Sequence, residues 1–439
     1  MKRFRQIMLQ VSVVVAVAIS LVLSWLIWTN NARYQQQGTQ SSDVQPVSHR
    51  TLSAPKSMNE IFSPTTLVHT THGQQNLVYS YKYDTINDIF YRFRRAKVSR
   101  LKTVSIGDGP KYQKMLHANN TLQMIYPTPI TIDTLSQVIK QKNLNLSKDH
   151  YFNRIVIADS KKHSKHEVYF LNDSNNAIYK AQGSGLDYDR IDKSIKNNDT
   201  IPVDLQILQN NRVMLFYQKP LHMKVFSYLI SSQENNSYIS NLLNSSQGSN
   251  ITVRDSGDEK IYHNGIYRML IFNQKNDQVT YKDYSKTTVP HKPADALNNA
   301  YQDVSQIGNP LTGLRLFYYN GKKNDIVFRN YVEGFPIFRD NTQAVTKISY
   351  SKKGETMEFS KRSLQVPVPN ENKNVELPAT NDLVEQLKVA GYKANDIQDI
   401  TVGYEWIDDN QDNKDIVDLK PTYLIRLNGH WKSYDELIH

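Results

Sequence analysis

The feature that most constrains this chain is an uncharged apolar run, residues 7–28, which reads IMLQVSVVVAVAISLVLSWLIW. As an α-helix it would extend roughly 33 Å, enough to cross a hydrocarbon core of about 30 Å. The cations Lys2, Arg3 and Arg5 precede the run, whereas only Arg33 follows it closely. The positive-inside rule therefore predicts a single-pass membrane protein with a cytoplasmic N-terminus and extracellular C-terminal domains.

A cleaved signal peptide is the alternative interpretation of this run. Ala16, Val17 and Ala18 match the small-x-small pattern of a processing site. A processing site normally closes the apolar region, but here a further apolar stretch, residues 19–28, follows it. The sequence therefore favours a retained anchor.

One face of the predicted helix carries small and polar residues. Small residues recur at every fourth position, at Ser12, Ala16, Ser20 and Ser24, and Gln10 adds an amide. Small residues let two membrane helices approach closely, and a polar side chain inside the membrane is better satisfied by a protein partner than by lipid. This stripe is the predicted partner-contact face, although serine and alanine are common in membrane helices and the spacing can also arise by chance.

Three aromatic residues mark the outer end of the run. Trp25, Trp28 and Tyr34 lie where rings are enriched at a membrane–water interface, and they are predicted as interfacial anchors. The following segment is polar and rich in Gln and Ser, which predicts a flexible tether.

Composition narrows the chemistry of the exterior part. The chain has 439 residues, no Cys and a formal net charge of +11. The length predicts two to three globular units, and the lack of Cys excludes disulfides, thiol catalysis and Cys-ligated zinc. No nucleic-acid recognition motif or dense Lys/Arg cluster occurs, so nucleic acid is not a predicted partner.

A unit of one helix followed by strands recurs in the exterior part. Apolar residues have helical spacing in residues 86–93, 238–243, 297–304 and 383–390. Pro293 suits the first turn of the third helix. In the fourth helix Asp382 and Glu385 have capping-box spacing, and Gly391 is a plausible stop.

Tight hairpins are predicted between the strands. Asn264-Gly265, Asn320-Gly321 and Asn428-Gly429 each lie between alternating apolar residues. The predicted fold class is α+β, with a transmembrane helix followed by antiparallel sheets that are each packed with helices. The predicted organisation is a cytoplasmic tail (1–6), a transmembrane helix (7–28), a tether (29–57) and three extracytoplasmic domains (58–200, 201–292 and 293–439).

Two patterns that resemble metal sites fail on inspection. Residues 408–419 have EF-hand spacing, but Asn413 and Leu419 replace the glycine and glutamate that a calcium loop needs. His163 and His166 have helical metal-ligand spacing, but the flanking residues predict strands joined by a hairpin tip. No metal-binding residue is therefore predicted.

The motifs of catalysis and of phosphate binding are also missing from the sequence. Gly183-Ser184-Gly185 is too short for a nucleophile elbow, and no glycine-rich phosphate loop occurs. The missing motifs favour a chain that is not an enzyme and carries no cofactor. They leave one alternative open, because a pair of carboxylates that converges from distant segments would leave no such motif.

The sequence resembles the YycH family in an ordered series of segments. These are SLVLSWLIWTNNARY (20–34), IFSPTTLVHT (61–70), residues 241–272, NYVEGFPIF (330–338), VELPATNDLVEQL (375–387), DITVGYEW (399–406) and LKPTYLIRLNGHWKSYD (419–435). The pattern has an aromatic, usually Trp, two residues after Pro421, where Tyr423 stands here. The tether is also longer and richer in Gln and Ser than the family's.

The resemblance implies a non-enzymatic regulator of the WalK/WalR (YycG/YycF) two-component system. In that family one membrane helix anchors three exterior domains, and the anchored protein acts with a similar companion, YycI, on the sensor histidine kinase. The last domain, 293–439, would then be YycI-like. A second hypothesis is an extracytoplasmic module that binds a cell-wall polymer or peptide, and a third is an anchored hydrolase.

Overall fold

The computed structural model describes Ser20 and most of the chain beyond residue 56. The described ranges are 57–79, 84–144, 150–158, 165–196, 198–208, 212–243, 251–308, 313–339, 344–369, 373–408 and 415–438. The predicted membrane helix lies outside these residues except for Ser20, which is helical and exposed. In the part of the chain that the structure describes, no helix is long and apolar enough to cross a bilayer.

The first half of the described residues builds an antiparallel sheet of ten strands. The strands are β1 (Thr66–Thr71), β2 (Gln74–Tyr79), β3 (Lys97–Val98), β4 (Lys102–Ser105), β5 (Thr121–Thr131), β6 (Tyr151–Ala158), β7 (Lys165–Asn172), β8 (Ala177–Ser184), β9 (Asp199–Ile207) and β10 (Val213–Tyr217). Their order is β10-β9-β2-β1-β5-β6-β7-β8-β3, with β4 also paired to β8. The sheet therefore begins and ends on strands that are distant in the sequence.

Five helices within the described ranges accompany this sheet. They are α1 (Met58–Ile61), α2 (Thr85–Arg95), α3 (Gly109–Leu116), α4 (Ile132–Val138) and α5 (Tyr188–Lys196), and a 3-10 turn spans Lys142–Leu144. In α2 the apolar spacing places Ile89, Phe90 and Phe93 in the core, where they are buried. The predicted helix in residues 86–93 is confirmed.

The second half of the described residues builds a sheet of fourteen strands and a two-stranded sheet. The strands are β11 (Leu221–Lys224), β12 (Phe226–Ser232), β13 (Ile251–Ser256), β14 (Glu259–Asn264), β15 (Arg268–Asn273), β16 (Gln278–Asp283), β17 (Leu314–Asn320), β18 (Asp325–Val332), β19 (Phe335–Phe338), β20 (Val345–Ser351), β21 (Gly354–Ser360), β22 (Arg362–Val368), β23 (Asn374–Leu377), β24 (Ile397–Asp408), β25 (Ile416–Leu427) and β26 (His430–Ser433). The large sheet runs β13-β14-β15-β16-β21-β20-β18-β19-β24-β25-β12-β22, with β17 on β18 and β26 on β25, and β11 pairs with β23.

Four more helices belong to this half of the described chain. They are α6 (Asn235–Leu242), α7 (Pro293–Ile307), α8 (Thr380–Val389) and α9 (Tyr434–Ile438), and a second 3-10 turn spans Ala394–Asp396. Pro293 is in the first turn of α7, and Gly391 has φ +94 just beyond the end of α8, as predicted. The predicted cap is wrong, because α8 begins at Thr380 and its N-cap is Ala379 rather than Asp382.

The α+β class is confirmed, but the arrangement of the strands differs from the prediction of separate antiparallel sheets. Most strands merge into two large sheets, and β19 runs parallel to β24, with Ile337 opposite Tyr404. Gly403 makes this pairing possible, because a Cβ at this position would lie 2.6 Å from the Pro336 carbonyl oxygen. A parallel pair needs a long connection, and β20 to β23 and α8 supply it.

Candidate functional site

A cleft of about 980 Å³ lies among strands from both halves of the described chain. Its walls include residues 125–129 from β5, 212–215 at β10, 317–319 from β17 and 399–402 from β24. Cavities of this size accommodate small-molecule ligands, which are usually held by apolar walls and a few polar groups. The cleft is therefore the candidate functional site.

Arg329 of β18 is a buried cation in the wall of this cleft. Its exposure is 8%, and its Nη1 donates a hydrogen bond of 3.0 Å to the Ile337 carbonyl oxygen. No carboxylate pairs with it among the residues that the structure describes. Burial lowers the pKa of Arg329 to about 9, so the guanidinium is still cationic at neutral pH.

Two aromatic rings contact the Arg329 guanidinium. Its central carbon lies 3.8 Å from the ring centroid of Phe338 and 5.0 Å from that of Phe317. Trp431 completes the group, with its ring centroid 5.3 Å from Phe338 and 5.8 Å from Phe317. Cation–π contacts of this kind stabilise a guanidinium, but they provide no hydrogen-bond acceptor in the guanidinium plane, where its N–H groups point.

Local sequence features position these aromatic side chains. Glu333 and Gly334 have φ of +51° and +84° and form the two-residue turn from β18 into β19, which carries Phe338. Asn428 and Gly429, with φ of +50° and +84°, form the predicted hairpin into β26, which carries Trp431. Phe317 lies at a register shift of β17, where a bulge redirects a side chain.

A second arginine in the cleft wall has a carboxylate partner. Arg154 of β6 has Nε 2.7 Å from Oδ1 and Nη2 3.0 Å from Oδ2 of Asp173. Tyr112 and Asn153 also donate hydrogen bonds to this carboxylate. Burial opposes the charge of Arg154, but Asp173 outweighs burial and raises the pKa of the guanidinium above its ordinary value.

Two more arginines of the cleft wall form ion pairs. Arg212 pairs with Asp399, and burial raises the pKa of this carboxyl although Arg212 favours its charge. Arg339 contacts Asp408, with Nη1 3.1 Å from Oδ1. Burial opposes the ionisation of Asp408, but hydrogen bonds from Arg339 and Trp406 lower its pKa. Arg212 and Arg339 thus each have a carboxylate partner, whereas Arg329 has none among the described residues.

The structure places the residues of the rejected metal patterns as follows. Asp408 is engaged by Arg339 and Arg362 rather than open to a cation. His166 lies buried in β7 and stacks on Tyr188, whereas His163 lies outside the described residues. Over the described ranges, no group of three or more potential ligands is arranged to hold a metal ion.

The predicted partner-contact face lies almost entirely outside the described residues. This applies to Gln10, Ser12, Ala16 and Ser24, and to the interfacial anchors Trp25, Trp28 and Tyr34. The sequence reasoning missed Arg329 and its aromatic neighbours. The one available signal was an arginine inside the apolar strand DIVFRNYV, which ordinary alternation interprets as a solvent-facing position.

Profiles of a known family match nearly the whole chain. A profile described as the YycH protein, N-terminal domain, matches residues 3–200, and one described as the YycH protein, C-terminal domain, matches residues 211–438. The chain belongs to the YycH family. YycH proteins are regulatory accessory proteins rather than a known enzyme family, and their globular part is in general extracellular.

A solved crystal structure supports this fold. The crystal structure of YycH from Bacillus subtilis is 15% identical and has a TM-score of 0.71, with 88% of this chain and 99% of that chain covered. An uncharacterized protein from Eubacterium rectale has a TM-score of 0.30 and 10% identity, with 48% of this chain and 82% of that chain covered. No curated protein sequence matches significantly.

Proposed function

We propose that this chain is a non-enzymatic, membrane-anchored regulator of the WalK (YycG) sensor histidine kinase that acts together with YycI. Its membership of the YycH family carries the proposal. The uncharged run 7–28 supports a single-pass anchor with the N-terminus inside the cell. The exterior part is proposed to comprise domains 58–200, 201–292 and 293–439, the last being YycI-like. Regulation of the kinase is proposed to control cell-wall-related gene expression.

The proposed mechanism is contact between helices in the bilayer. The face of Gln10, Ser12, Ala16, Ser20 and Ser24 would pack against membrane helices of the kinase or of YycI. A regulator shifts a two-state kinase only if it binds one signalling state better than the other. The exterior domains would set the position of the anchor or respond to a signal.

The test exchanges the anchor and the exterior domains in a strain that lacks the protein. One fusion joins residues 1–35 to an unrelated exterior domain, and the reciprocal fusion joins residues 36–439 to an unrelated membrane helix. We expect the first fusion to restore regulation of a WalR-dependent reporter and the second to fail at equal expression. The reverse result would assign regulation to the exterior domains.

The second candidate function is an extracytoplasmic binding module. The cleft of about 980 Å³ favours it, because the cleft has both aromatic walls and buried donors. Such a module and a kinase regulator are compatible, since a ligand in the cleft would be the signal that the exterior domains receive.

A further inference from the structure

We propose that the cleft binds a ligand through a carboxylate or phosphate group, and that the Nε–Nη2 edge of Arg329 is the anchor for this group. Anion binding in this cleft is a function beyond kinase regulation and does not require the membrane helix.

The donors of Arg329 are only partly used. Nη1 donates to the Ile337 carbonyl oxygen at 3.0 Å. Nε is buried without a hydrogen-bond partner, and Nη2 donates no hydrogen bond to any described residue. The Nε and Nη2 hydrogens point the same way and form the fork that fits two oxygens of a carboxylate or phosphate. The edge that remains is therefore the one that suits an oxyanion.

Arg154 shows the same edge with an oxyanion in place. Its Nε and Nη2 hold the two oxygens of Asp173 at 2.7 and 3.0 Å. Both arginines are more than nine-tenths buried and both line the cleft. Within the described ranges, Arg154 has its carboxylate supplied by the protein, and Arg329 does not.

The surroundings of Arg329 disfavour a charge that has no counter-ion. Its cross-strand neighbour on β17 is Arg315, which carries the same sign. Burial of a cation is costly unless the charge is paired. Phe317 and Phe338, whose ring centroids lie 5.5 Å apart, contact the guanidinium from adjacent sides and so restrict its orientation, but they cannot accept its hydrogen bonds in the manner of a carboxylate.

Other groups in the cleft wall indicate a ligand rich in hydrogen-bond acceptors. Tyr126 Oη, Arg154 Nη1 and Arg426 Nε are buried and have no partner among the described residues. All three can donate a hydrogen bond. The aromatic walls at Phe338 and Trp431 suit an apolar or planar part of the same ligand.

The test titrates the full-length protein, purified in detergent, with three probes. Hippurate carries a carboxylate, phenyl phosphate carries a phosphate, and hippuramide is the uncharged counterpart of hippurate. Calorimetry up to about 10 mM detects affinities near 1 mM. We expect at least one anion to bind saturably and hippuramide not to bind. The two anions together reveal whether a carboxylate or a phosphate is preferred.

Three variants assign the binding to the fork. Arg329→Gln removes both the charge and the fork, Arg329→Lys keeps the charge alone, and Arg254→Gln removes an exposed arginine from β13. We expect Arg329→Gln to lose about tenfold or more in affinity for the bound anion, because a bidentate charge-assisted contact is lost. Arg329→Lys is expected to weaken binding measurably, and Arg254→Gln to leave it unchanged.

The outcomes separate an anion anchor from a packing residue. A packing role would lower the melting temperature of Arg329→Gln and leave its probe affinity at the wild-type value, which overturns the proposal. The proposal is also overturned if neither anion binds saturably. If Arg329→Lys keeps the wild-type affinity, the Nε–Nη2 fork is not what holds the anion. If Arg329→Gln does not fold, Arg329→Lys decides. These titrations contain no kinase, so they stand or fail separately from the proposed regulation.

Discussion

Arg154 and Asp173 form a two-point ion pair in which almost nothing of the arginine side chain is accessible. Their side chains are 2% and 10% exposed, and Nε lies 2.7 Å from Oδ1. The net stability that such a pair adds is small, because both charges lose their hydration. Loss of one partner is far more damaging, since it leaves the other charge buried alone.

Asp173→Asn is expected to lower the free energy of unfolding by about 3 to 5 kcal/mol, because it isolates the Arg154 charge. Chemical denaturation measures this loss. The matched control is Glu167→Gln, which breaks a pair with Lys180 whose side chains are 46% and 37% exposed. An exposed pair contributes within about 1 kcal/mol. Equal losses in the two variants would contradict the prediction.

Glu355 of β21 predicts a pH-dependent stability. Its side chain is 0% exposed, and its Oε2 lies 2.7 Å from Lys286 Nζ. Burial, and then Asp303, raise the pKa of Glu355 from 4.5 to about 7. At a pH between 4.5 and about 7, Glu355 is deprotonated in the unfolded chain but keeps its proton in the folded chain. The stability from Glu355 is therefore full below pH 4.5 and is lost as the pH rises to about 7.

Glu355→Gln removes this titration. Relative to wild type, its free energy of unfolding is expected to rise between pH 5 and pH 8 by up to about 3 kcal/mol. Denaturation at several pH values measures the difference. Glu358→Gln, on the same strand, controls for the loss of a carboxylate in general. Parallel pH curves for Glu355→Gln and wild type would rule out the raised pKa.

Gly403→Ala is expected to destabilise the junction of β19 and β24. The added Cβ would lie 2.6 Å from the Pro336 carbonyl oxygen and 2.8 Å from Leu424 Cδ1. Overpacking of this kind costs about 1 to 3 kcal/mol, which thermal denaturation detects. In Gly109→Ala, the control, the nearest atom lies at 3.7 Å. A stability of Gly403→Ala equal to that of the control would contradict the close approach.

Tyr423→Phe is expected to cost about 1 to 2 kcal/mol of stability. Tyr423 is 1% exposed, and its hydroxyl donates a hydrogen bond of 2.9 Å to the Pro378 carbonyl oxygen. Urea denaturation measures the loss. Tyr126→Phe is the control, because the Tyr126 hydroxyl is buried without a hydrogen-bond partner in the described ranges. Removal of the Tyr126 hydroxyl is expected to leave the stability unchanged or to raise it. A greater loss of stability in Tyr126→Phe than in Tyr423→Phe would contradict the prediction.

Replacement of Ser12, Ala16 and Ser20 by Leu is expected to weaken co-purification with the kinase or YycI. Larger side chains on a close-packed face separate the helices. Affinity purification at equal expression, together with a WalR-dependent reporter, measures the effect.

The control for this membrane face places leucines on another side of the predicted helix, at Val14, Ala18 and Val22. These substitutions have the same spacing and introduce the same leucine side chains on a different face of the helix. Unchanged complex and reporter output in the Ser12, Ala16 and Ser20 variant would disprove the proposed face.

Local patterns predicted much of the local structure, although the cap predicted at Asp382 is wrong. The helix at Pro293 and the hairpin at Asn428 and Gly429 depend on neighbouring residues, and both are confirmed. Arg329 could not be predicted in the same way. Its burial depends on β19, which returns alongside β24 and covers a strand face that alternation assigns to solvent. The position of the Phe317 side chain depends on a register shift in β17, and no residue type in the sequence predicts that shift.

The place of β12 in the large sheet has a consequence for biogenesis. Phe226 pairs with Leu419, and Ser227 pairs with Val368, so both neighbours of β12 are synthesised long after it. Until residues 416–427 have emerged, a nascent chain carries β12 with an open edge, and such edges promote aggregation. C-terminal truncations that remove β25 are therefore expected to lower the yield of soluble, folded protein as much as the loss of β12 itself.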